Sequence, residues 1–233
     1  MPIYGHFGNI LVMSGKTKSD VFYLKKLKSP EVTTSMLMGA LSEYKDVRGK
    51  INALSKKGLI QPIKQGVYLI HSDFGLRPYS KEILAQLIYG PSYISLQTAL
   101  SNYGFIPEKV DTTTSISFGR GRSFSTPVGD FEYRQIKKSL YPLGVGLQEV
   151  TTGVFCQYAL PEKALLDFIY LEESKSEFKN QKEYFSYILD SYRLNLKAIE
   201  KEVSLKKLKS LSEKYNLERI HWFVNELNRR LNK

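Results

Sequence analysis

The hydrophobic pattern changes its period once between residues 44 and 70, and this change limits what the chain can fold into. Four apolar side chains recur at intervals of three and four, as on one face of a helix. They are Tyr44, Val47, Ile51 and Leu54. Gly58 ends the run, and from Leu59 onward apolar and polar residues tend to alternate about Gln65 and Gly66. The segment therefore predicts a helix followed at once by a small hairpin.

Two shorter helical segments precede this helix. Each of the three segments follows a hydroxyl side chain that can cap a helix start. The three caps are Ser19, Thr33 or Thr34, and Ser42. The third helix would run from about residue 44 to residue 57. Three short helices and a hairpin are the element order of a winged helix-turn-helix, whose third helix enters the DNA major groove. We therefore predict such a domain over residues 19–71.

Most of the excess positive charge lies in the same part of the chain. The sequence has 34 Lys and Arg against 23 Asp and Glu, a formal net charge of +11. Residues 1–71 contain 11 basic and 4 acidic residues, which leaves a net +7 there. A basic surface favours a polyanionic partner, and double-stranded DNA is the partner that the element order predicts.

The polar face of the third helix supplies the candidate DNA-binding side chains. Arginine pairs well with guanine and asparagine with adenine, while lysines hold phosphates. The side chains predicted to contact bases or the groove edge are Lys45, Arg48, Asn52 and Lys56. Those predicted to hold the DNA backbone are Lys57 and Lys64. The alternative interpretation is an ordinary solvated helix face.

A change of composition separates this region from the rest of the chain. Residues 72–79 contain Gly and Pro in a polar setting, which predicts a linker. The second domain, residues 80–233, would begin with helices, one of them capped by Ser95 and ended by Gly104. Short segments rich in β-branched and aromatic residues predict strands over residues 112–158.

The end of the second domain is predicted to be helical. After about residue 175, apolar residues recur at intervals of three and four to the end of the chain. The fold class expected is therefore α+β, an N-terminal winged helix-turn-helix followed by a mixed α/β domain with a helical C-terminal part. Within the strand region, the sequence GRGR at residues 119–122 predicts a hairpin tip. We interpret it as a flexible turn, with a phosphate-binding loop as the alternative.

Motifs for catalysis, cofactors or membranes are missing from the sequence. It has no Walker loop, nucleophile elbow or dinucleotide fingerprint. Its three histidines lack the spacing of metal ligands, and a single cysteine, Cys156, fits a reducing compartment. No segment approaches the roughly 20 apolar residues of a membrane helix. We therefore expect no enzyme activity, cofactor, metal or membrane contact, a cytoplasmic location, and a loose arm over residues 1–18.

Two blocks of the second domain point to a family. They are "ISLQTALSNYGFIPE" at residues 94–108 and "PEKALLDFIYL" at residues 161–171. With the winged-helix pattern before them, they resemble the AbiEi family of antitoxins from type IV toxin-antitoxin and phage abortive-infection systems. The resemblance covers about residues 19–171. It implies a winged helix that binds inverted repeats in its own promoter and represses the operon.

The same resemblance implies a role for the second domain. In that family the C-terminal domain neutralises a nucleotidyltransferase-like toxin without a stable toxin-antitoxin complex. Glu162, Lys163 and Asp167 match the family's "EKALLD" pattern and are candidates for an antitoxin-domain surface. A structural explanation is also available for each. Glu162 suits the start of a helix, and Lys163 and Asp167 can form an i,i+4 ion pair.

Two other functions remain open at this point. The chain could be a protein-binding module that holds a partner directly through its helical tail, without DNA binding. It could also be a nuclease or nucleotide-modifying enzyme that uses acidic residues such as Glu162 and Asp167.

Overall fold

A computed structural model of the chain describes residues 15–74, 76–172 and 177–232. The chain divides into two compact units, Met1–Tyr79 (unit 1) and Ser80–Lys233 (unit 2). Both units mix helices with strands, so the α+β class is confirmed. Residues 1–14, most of the predicted N-terminal arm, lie outside the described residues.

Unit 1 is a small helical unit closed by a three-stranded sheet. Its elements are α1 (Gly15–Lys25), β1 (Glu31–Thr33), α2 (Thr34–Ala40), α3 (Val47–Lys56), β2 (Ile60–Lys64), β3 (Val67–Ile70) and a 3-10 turn (Ser72–Phe74). The strand order is β1-β3-β2, and both pairings are antiparallel. Apolar residues from all of these elements meet in one core, which includes Leu24, Leu37, Ile51, Leu54 and Ile70.

Local side-chain caps decide where the helices of unit 1 begin. Thr33 Oγ1 accepts a hydrogen bond from Met36 N at 3.3 Å, so its predicted role at the start of α2 is confirmed. The prediction that Ser42 caps α3 is wrong, because Asp46 Oδ1 accepts from Gly49 N at 2.8 Å. Helix α1 likewise begins at Gly15, four residues before the predicted cap Ser19.

The hairpin forms as the sequence predicts, with Gln65 and Gly66 at its turn. Lys64 pairs with Val67 across the two-residue connection. Gly66 has a φ of +85°, a conformation that costs glycine little and other residues much. This positive φ explains why glycine occupies the turn.

Two residues of the predicted linker, residues 72–79, make contacts within unit 1. Phe74 is 2% exposed and belongs to the core of unit 1. Arg77 contacts Glu31, the first residue of β1, with 2.6 Å between Nη2 and Oε2. The boundary between the two units falls at the end of this segment, between Tyr79 and Ser80.

Unit 2 is built on a six-stranded mixed sheet with helices. Its first elements are α4 (Lys81–Ile88), β4 (Ser92–Ile94), α5 (Leu96–Asn102), β5 (Thr113–Ser117), β6 (Arg122–Thr126) and β7 (Gly129–Gln135). These are followed by β8 (Val145–Thr151), β9 (Val154–Ala159), α6 (Pro161–Leu171), α7 (Gln181–Ser191), α8 (Leu196–Glu202), α9 (Leu205–Ser212) and α10 (Glu218–Leu231). The strand order is β6-β7-β5-β4-β9-β8, with β4/β9 and β5/β7 parallel.

The sheet order corrects the prediction for the GRGR segment. This segment joins β5 to β6, but β7 lies between those strands and pairs with both. Residues 119–121 therefore belong to a connection that crosses over one strand, Arg122 begins β6, and the hairpin-tip prediction is wrong. The long-range pairing of β7 has no local signal in the sequence.

The predicted helical end of the chain is confirmed by α7 to α10. Ile220, Phe223, Val224 and Leu227 of α10 are buried. Phe223 stacks on Phe185 of α7 with 5.2 Å between ring centroids. The apolar stripes of the tail are therefore used in the core of unit 2. None of the helices among the described residues is both long and apolar enough to cross a membrane.

Candidate nucleic-acid interface

Helix α3 buries one face in the core of unit 1 and exposes a polar face. Ile51 and Leu54 are buried. Arg48, Asn52 and Lys56 are exposed and follow one another at intervals of four, so they lie along one side of the helix. At a rise of 1.5 Å per residue, this row is about 12 Å long.

Lys45 joins this surface from outside the helix. Because Asp46 caps α3, Lys45 lies in the turn before the helix and is exposed there. Its predicted place on the helix is therefore wrong, although it lies just before the helix start, three residues before Arg48 in sequence. We call Lys45, Arg48, Asn52 and Lys56 the α3 surface.

The charges of the α3 surface are not neutralised within the described part of the chain. Among the described residues, no carboxylate forms an ion pair with Lys45, Arg48 or Lys56. Cations without a carboxylate partner bind phosphates most favourably, since no ion pair within the protein has to be broken first.

Asp20 of α1 pairs with two other lysines, Lys50 of α3 and Lys57, the residue that follows α3. Its side chain is 1% exposed, and it forms an ion pair with Lys50. Burial is the largest single effect and disfavours the charged form of Lys50, but the hydrogen bond to Asp20, the charge of Asp20 and the nearby Tyr44 together outweigh it, so the pKa of Lys50 is raised. Lys57 Nζ lies 3.5 Å from Asp20 Oδ2, and Lys57 is half exposed. The charge of Lys57, predicted to hold the DNA backbone, is thus partly compensated inside the unit.

Lys64, the other predicted backbone contact, ends β2 immediately before the hairpin turn. It is half-buried rather than extended into solvent. The structure thus brings four of the predicted residues to one surface: Lys45, Arg48, Asn52 and Lys56. Lys57 forms an ion pair with Asp20, and Lys64 belongs to the hairpin.

Gly49 has a structural explanation in the middle of this surface. A Cβ at position 49 would lie 2.1 Å from Asp46 Oδ2 in its capping position. Glycine at this position therefore fits the cap, and a close approach by a ligand is not needed to account for it.

The second candidate set, Glu162, Lys163 and Asp167, is not a surface at all. The three residues are 7%, 0% and 0% exposed. The surface prediction is therefore wrong, while the predicted i,i+4 pair is confirmed, with 2.8 Å between Lys163 Nζ and Asp167 Oδ1. Glu162 Oε1 accepts a hydrogen bond from Ser204 N at 2.8 Å and so ties α6 to the start of α9.

Asp167 is the centre of a buried hydrogen-bond network. Three hydroxyl groups donate to its two oxygens at 2.7–2.9 Å. The donors are Tyr93, Ser95 and Tyr215. Ser95 precedes α5, but its hydroxyl is used here and forms no helix cap, contrary to the prediction. The network joins β4, α5 and α6 to the chain after α9.

Lys163 completes this network as a buried cation. Its Nζ donates to Leu140 O and to Tyr215 Oη, each at 2.8 Å. Burial lowers the pKa of Lys163, and the charge of Asp167 acts in the opposite direction. Burial and the nearby Asp167 raise the pKa of Tyr93 and Tyr215 far above the usual value. Lys163 and Asp167 are both 0% exposed, and their hydrogen bonds join separate segments of unit 2.

Sequence reasoning missed the residues that act across long distances. Asp20 is 30 residues from Lys50 and lies in a different helix, so nothing local connects the two. Asp46 could have been found, since aspartate before an apolar helical run is a strong cap. Within the described residues, no cluster of three or more His, Cys, Asp or Glu side chains is placed to hold a metal ion.

Comparisons with known proteins support the fold alone. No protein-family model matches the chain. No curated protein matches it either. Among solved structures, it is similar to the crystal structure of the RV2827C protein from Mycobacterium tuberculosis, with a TM-score of 0.58. The match covers 93% of this chain and 78% of that one at 12% sequence identity. It supports an α+β fold and carries no function to this chain.

Proposed function

We propose that unit 1 is a winged helix-turn-helix domain that binds duplex DNA, with α3 in the major groove and the β2–β3 hairpin along the backbone. The observation that carries this proposal is the α3 surface, in which exposed Arg48 and Asn52 lie between Lys45 and Lys56. Arginine and asparagine can each make two hydrogen bonds to a purine edge, and the flanking lysines suit phosphates.

The element order of unit 1 also supports the proposal. Three helices lead into a two-stranded hairpin, and β1 pairs with β3 to fix the hairpin beside the helices. In domains of this arrangement the third helix is the one that reads bases. Here that helix is α3, which carries the exposed polar row.

The proposed cellular role is an autorepressor with antitoxin activity, acting in the cytoplasm. This role is supported by the resemblance of residues 94–108 and 161–171 to the AbiEi family. The proposed DNA site is an inverted repeat in the chain's own promoter. The proposed counterpart of unit 2 is a nucleotidyltransferase-like toxin encoded beside it.

The two blocks that carry the resemblance meet in the buried network of unit 2. Ser95 from the first block donates to Asp167 from the second at 2.9 Å. Packing therefore explains why these residues occur together. The antitoxin role consequently needs a test of its own, separate from the DNA-binding test.

Binding to the DNA upstream of the chain's own gene tests the DNA-binding half. We expect the full chain to shift this duplex at modest salt and to prefer it over a scrambled duplex. In the variant Arg48→Gln/Asn52→Ala, the preference should fall by about 1–3 kcal/mol for each lost base contact. The charge-matched control is Lys209→Gln on α9, which should leave the preference unchanged. Equal binding of both duplexes by the unmodified chain would contradict sequence recognition.

Expression in a host with the neighbouring gene tests the antitoxin half. If that gene encodes a growth-inhibiting nucleotidyltransferase, co-expression of this chain should restore growth. Restoration should persist in Arg48→Gln/Asn52→Ala, since the proposed antitoxin activity belongs to unit 2. A toxin that is unaffected by this chain would contradict the antitoxin role and leave the DNA-binding half to its own test.

A further inference from the structure

We propose that unit 2 has its own binding surface for single-stranded nucleic acid, formed around the connection between β5 and β6. We call it the β5–β6 surface. It consists of Tyr89, Phe118, Arg120, Arg122 and Lys138. This inference does not depend on the proposed function, since it uses residues of unit 2 only.

Two cation–ring pairs lie on the β5–β6 surface. Lys138 Nζ lies 5.2 Å from the ring centroid of Phe118, and Arg122 Cζ lies 5.6 Å from that of Tyr89. Gly119 sits directly against Tyr89, because a Cβ there would be 2.5 Å from Tyr89 Oη. The two cation–ring pairs therefore belong to one continuous surface.

Both glycines of the GRGR segment pack closely against neighbouring atoms of unit 2. At Gly121 the neighbour is the backbone of β7, because a Cβ there would be 3.2 Å from Tyr133 O. Ser117 Oγ donates to Gly119 O at 3.0 Å and fixes the start of the segment. Arg120 and Arg122 remain exposed. The interpretation of this segment as a flexible turn does not account for this packing.

Phe118 is the feature that selects the ligand. It is 43% exposed, although a large apolar ring gains by burial. Its position is set by an edge-to-face contact with Tyr141, at 5.4 Å between centroids, and by its backbone N–H, which donates to Pro91 O at 3.0 Å. The ring is thus held at the surface by its surroundings.

A single-stranded nucleic acid fits this combination better than a duplex does. Unpaired bases stack on exposed aromatic rings, while lysine and arginine beside the rings bind the phosphates. The bases of a duplex are already stacked on one another, so Phe118 would add little there. Among the described residues, no carboxylate forms an ion pair with Arg120, Arg122 or Lys138. The cations are thus available for phosphates.

Fluorescence anisotropy with the full chain tests the proposal. The probes are labelled oligo(U) and oligo(dT) of about 12 nucleotides, within the usual site size for such surfaces. We expect both to bind at low salt, and the difference between them measures any use of the ribose hydroxyl. Phe118→Ala should weaken binding about tenfold, and Phe118→Tyr should keep it.

Charge variants separate the surface from the general basicity of the chain. Arg120→Gln/Arg122→Gln/Lys138→Gln should reduce the salt slope of log affinity by about 2, since a single strand contributes roughly 0.7 per phosphate contact. The matched control removes three exposed lysines of α9, in Lys206→Gln/Lys207→Gln/Lys209→Gln. The control should keep most of the affinity. Arg48→Gln/Asn52→Ala should keep it as well, which separates this surface from the duplex site.

Several results would overturn the proposal. One is the absence of binding to either oligonucleotide at low salt. Another is a Phe118→Ala variant that binds as the unmodified chain does. A third is an equal loss of affinity in the α9 control. Heparin, which has sulfates but no bases, provides the last comparison. If Phe118→Ala weakens heparin binding as much as oligonucleotide binding, the ring does not stack on bases.

Discussion

At the scale of single residues, the buried pair of Lys163 and Asp167 is the most sensitive point of unit 2. Removing one partner of a buried ion pair leaves the other charged and desolvated, which costs about 3–5 kcal/mol. We expect Lys163→Met to lower the free energy of unfolding of unit 2 by about this amount, measured by urea denaturation followed by the fluorescence of Trp222.

The matched control is Lys197→Met, at an exposed position of α8. It should change the free energy of unfolding by no more than about 0.5 kcal/mol. A loss below 1 kcal/mol in Lys163→Met, on the order of an exposed ion pair, would contradict the assigned role of the network.

The buried tyrosines predict how stability depends on alkaline pH. Burial raises the pKa of Tyr93, Tyr158 and Tyr215 above 10, the usual value. In the unfolded chain these side chains ionise above about pH 10, while in the folded chain they stay protonated. Their contribution to stability is therefore fully present below pH 10 and is lost as the pH rises above it. Above pH 10, each of these three tyrosines should lower the free energy of unfolding by up to about 1.4 kcal/mol for each further pH unit.

The ultraviolet absorbance of the phenolate form measures this directly. We expect a fraction of the 16 tyrosines to ionise only when circular dichroism shows unfolding. Ionisation of all of them near pH 10 with native circular dichroism retained would contradict the burial of these side chains.

At the scale of elements, the start of α3 depends on the Asp46 cap. Loss of an N-cap side chain costs about 0.5–2 kcal/mol. We expect Asp46→Ala to increase hydrogen exchange of the α3 amides about fivefold, as about 1 kcal/mol of lost protection requires. Ser42→Ala, at the cap position that the sequence predicted, should leave exchange unchanged. An equal effect of the two substitutions would contradict the assignment of the cap.

The elements also show how far sequence patterns reach. The period of Ile51 and Leu54 predicted the buried side of α3, and Gly66 predicted the hairpin turn, because both signals lie within a few residues. Strands β1 and β4 were missed because three residues are too few to show a period. The order of the six-stranded sheet was beyond prediction as well, since β7 pairs with β5 and β6 through contacts that leave no local pattern.

The candidate site was likewise predictable where the signal is local and not where it depends on distant residues. The helical spacing correctly predicted that Arg48, Asn52 and Lys56 are exposed, since a buried stripe on one side of a helix leaves the other side in solvent. The state of Lys57 could not be predicted, because it depends on Asp20 in another helix. Burial of the "EKALLD" residues was equally hidden, since charged side chains are seldom fully buried without partners that come from distant segments.

At the scale of the whole molecule, positive charge has to be distinguished from a binding surface. The chain has a net charge of +11, and a chain of this charge binds any polyanion weakly. We propose that duplex binding belongs to the α3 surface, where cations flank the two side chains, Arg48 and Asn52, that are proposed to contact bases. Removing positive charge from the α3 surface should therefore weaken duplex binding more than removing the same charge elsewhere.

The salt dependence of duplex binding by the full chain measures this difference. Duplex DNA contributes a slope of about 0.9 per phosphate contact. We expect Lys45→Gln/Arg48→Gln/Lys56→Gln to reduce the slope by nearly 3, and Lys206→Gln/Lys207→Gln/Lys209→Gln on α9 to leave it almost unchanged. Equal slopes for the two triple variants would contradict a DNA-binding surface on α3.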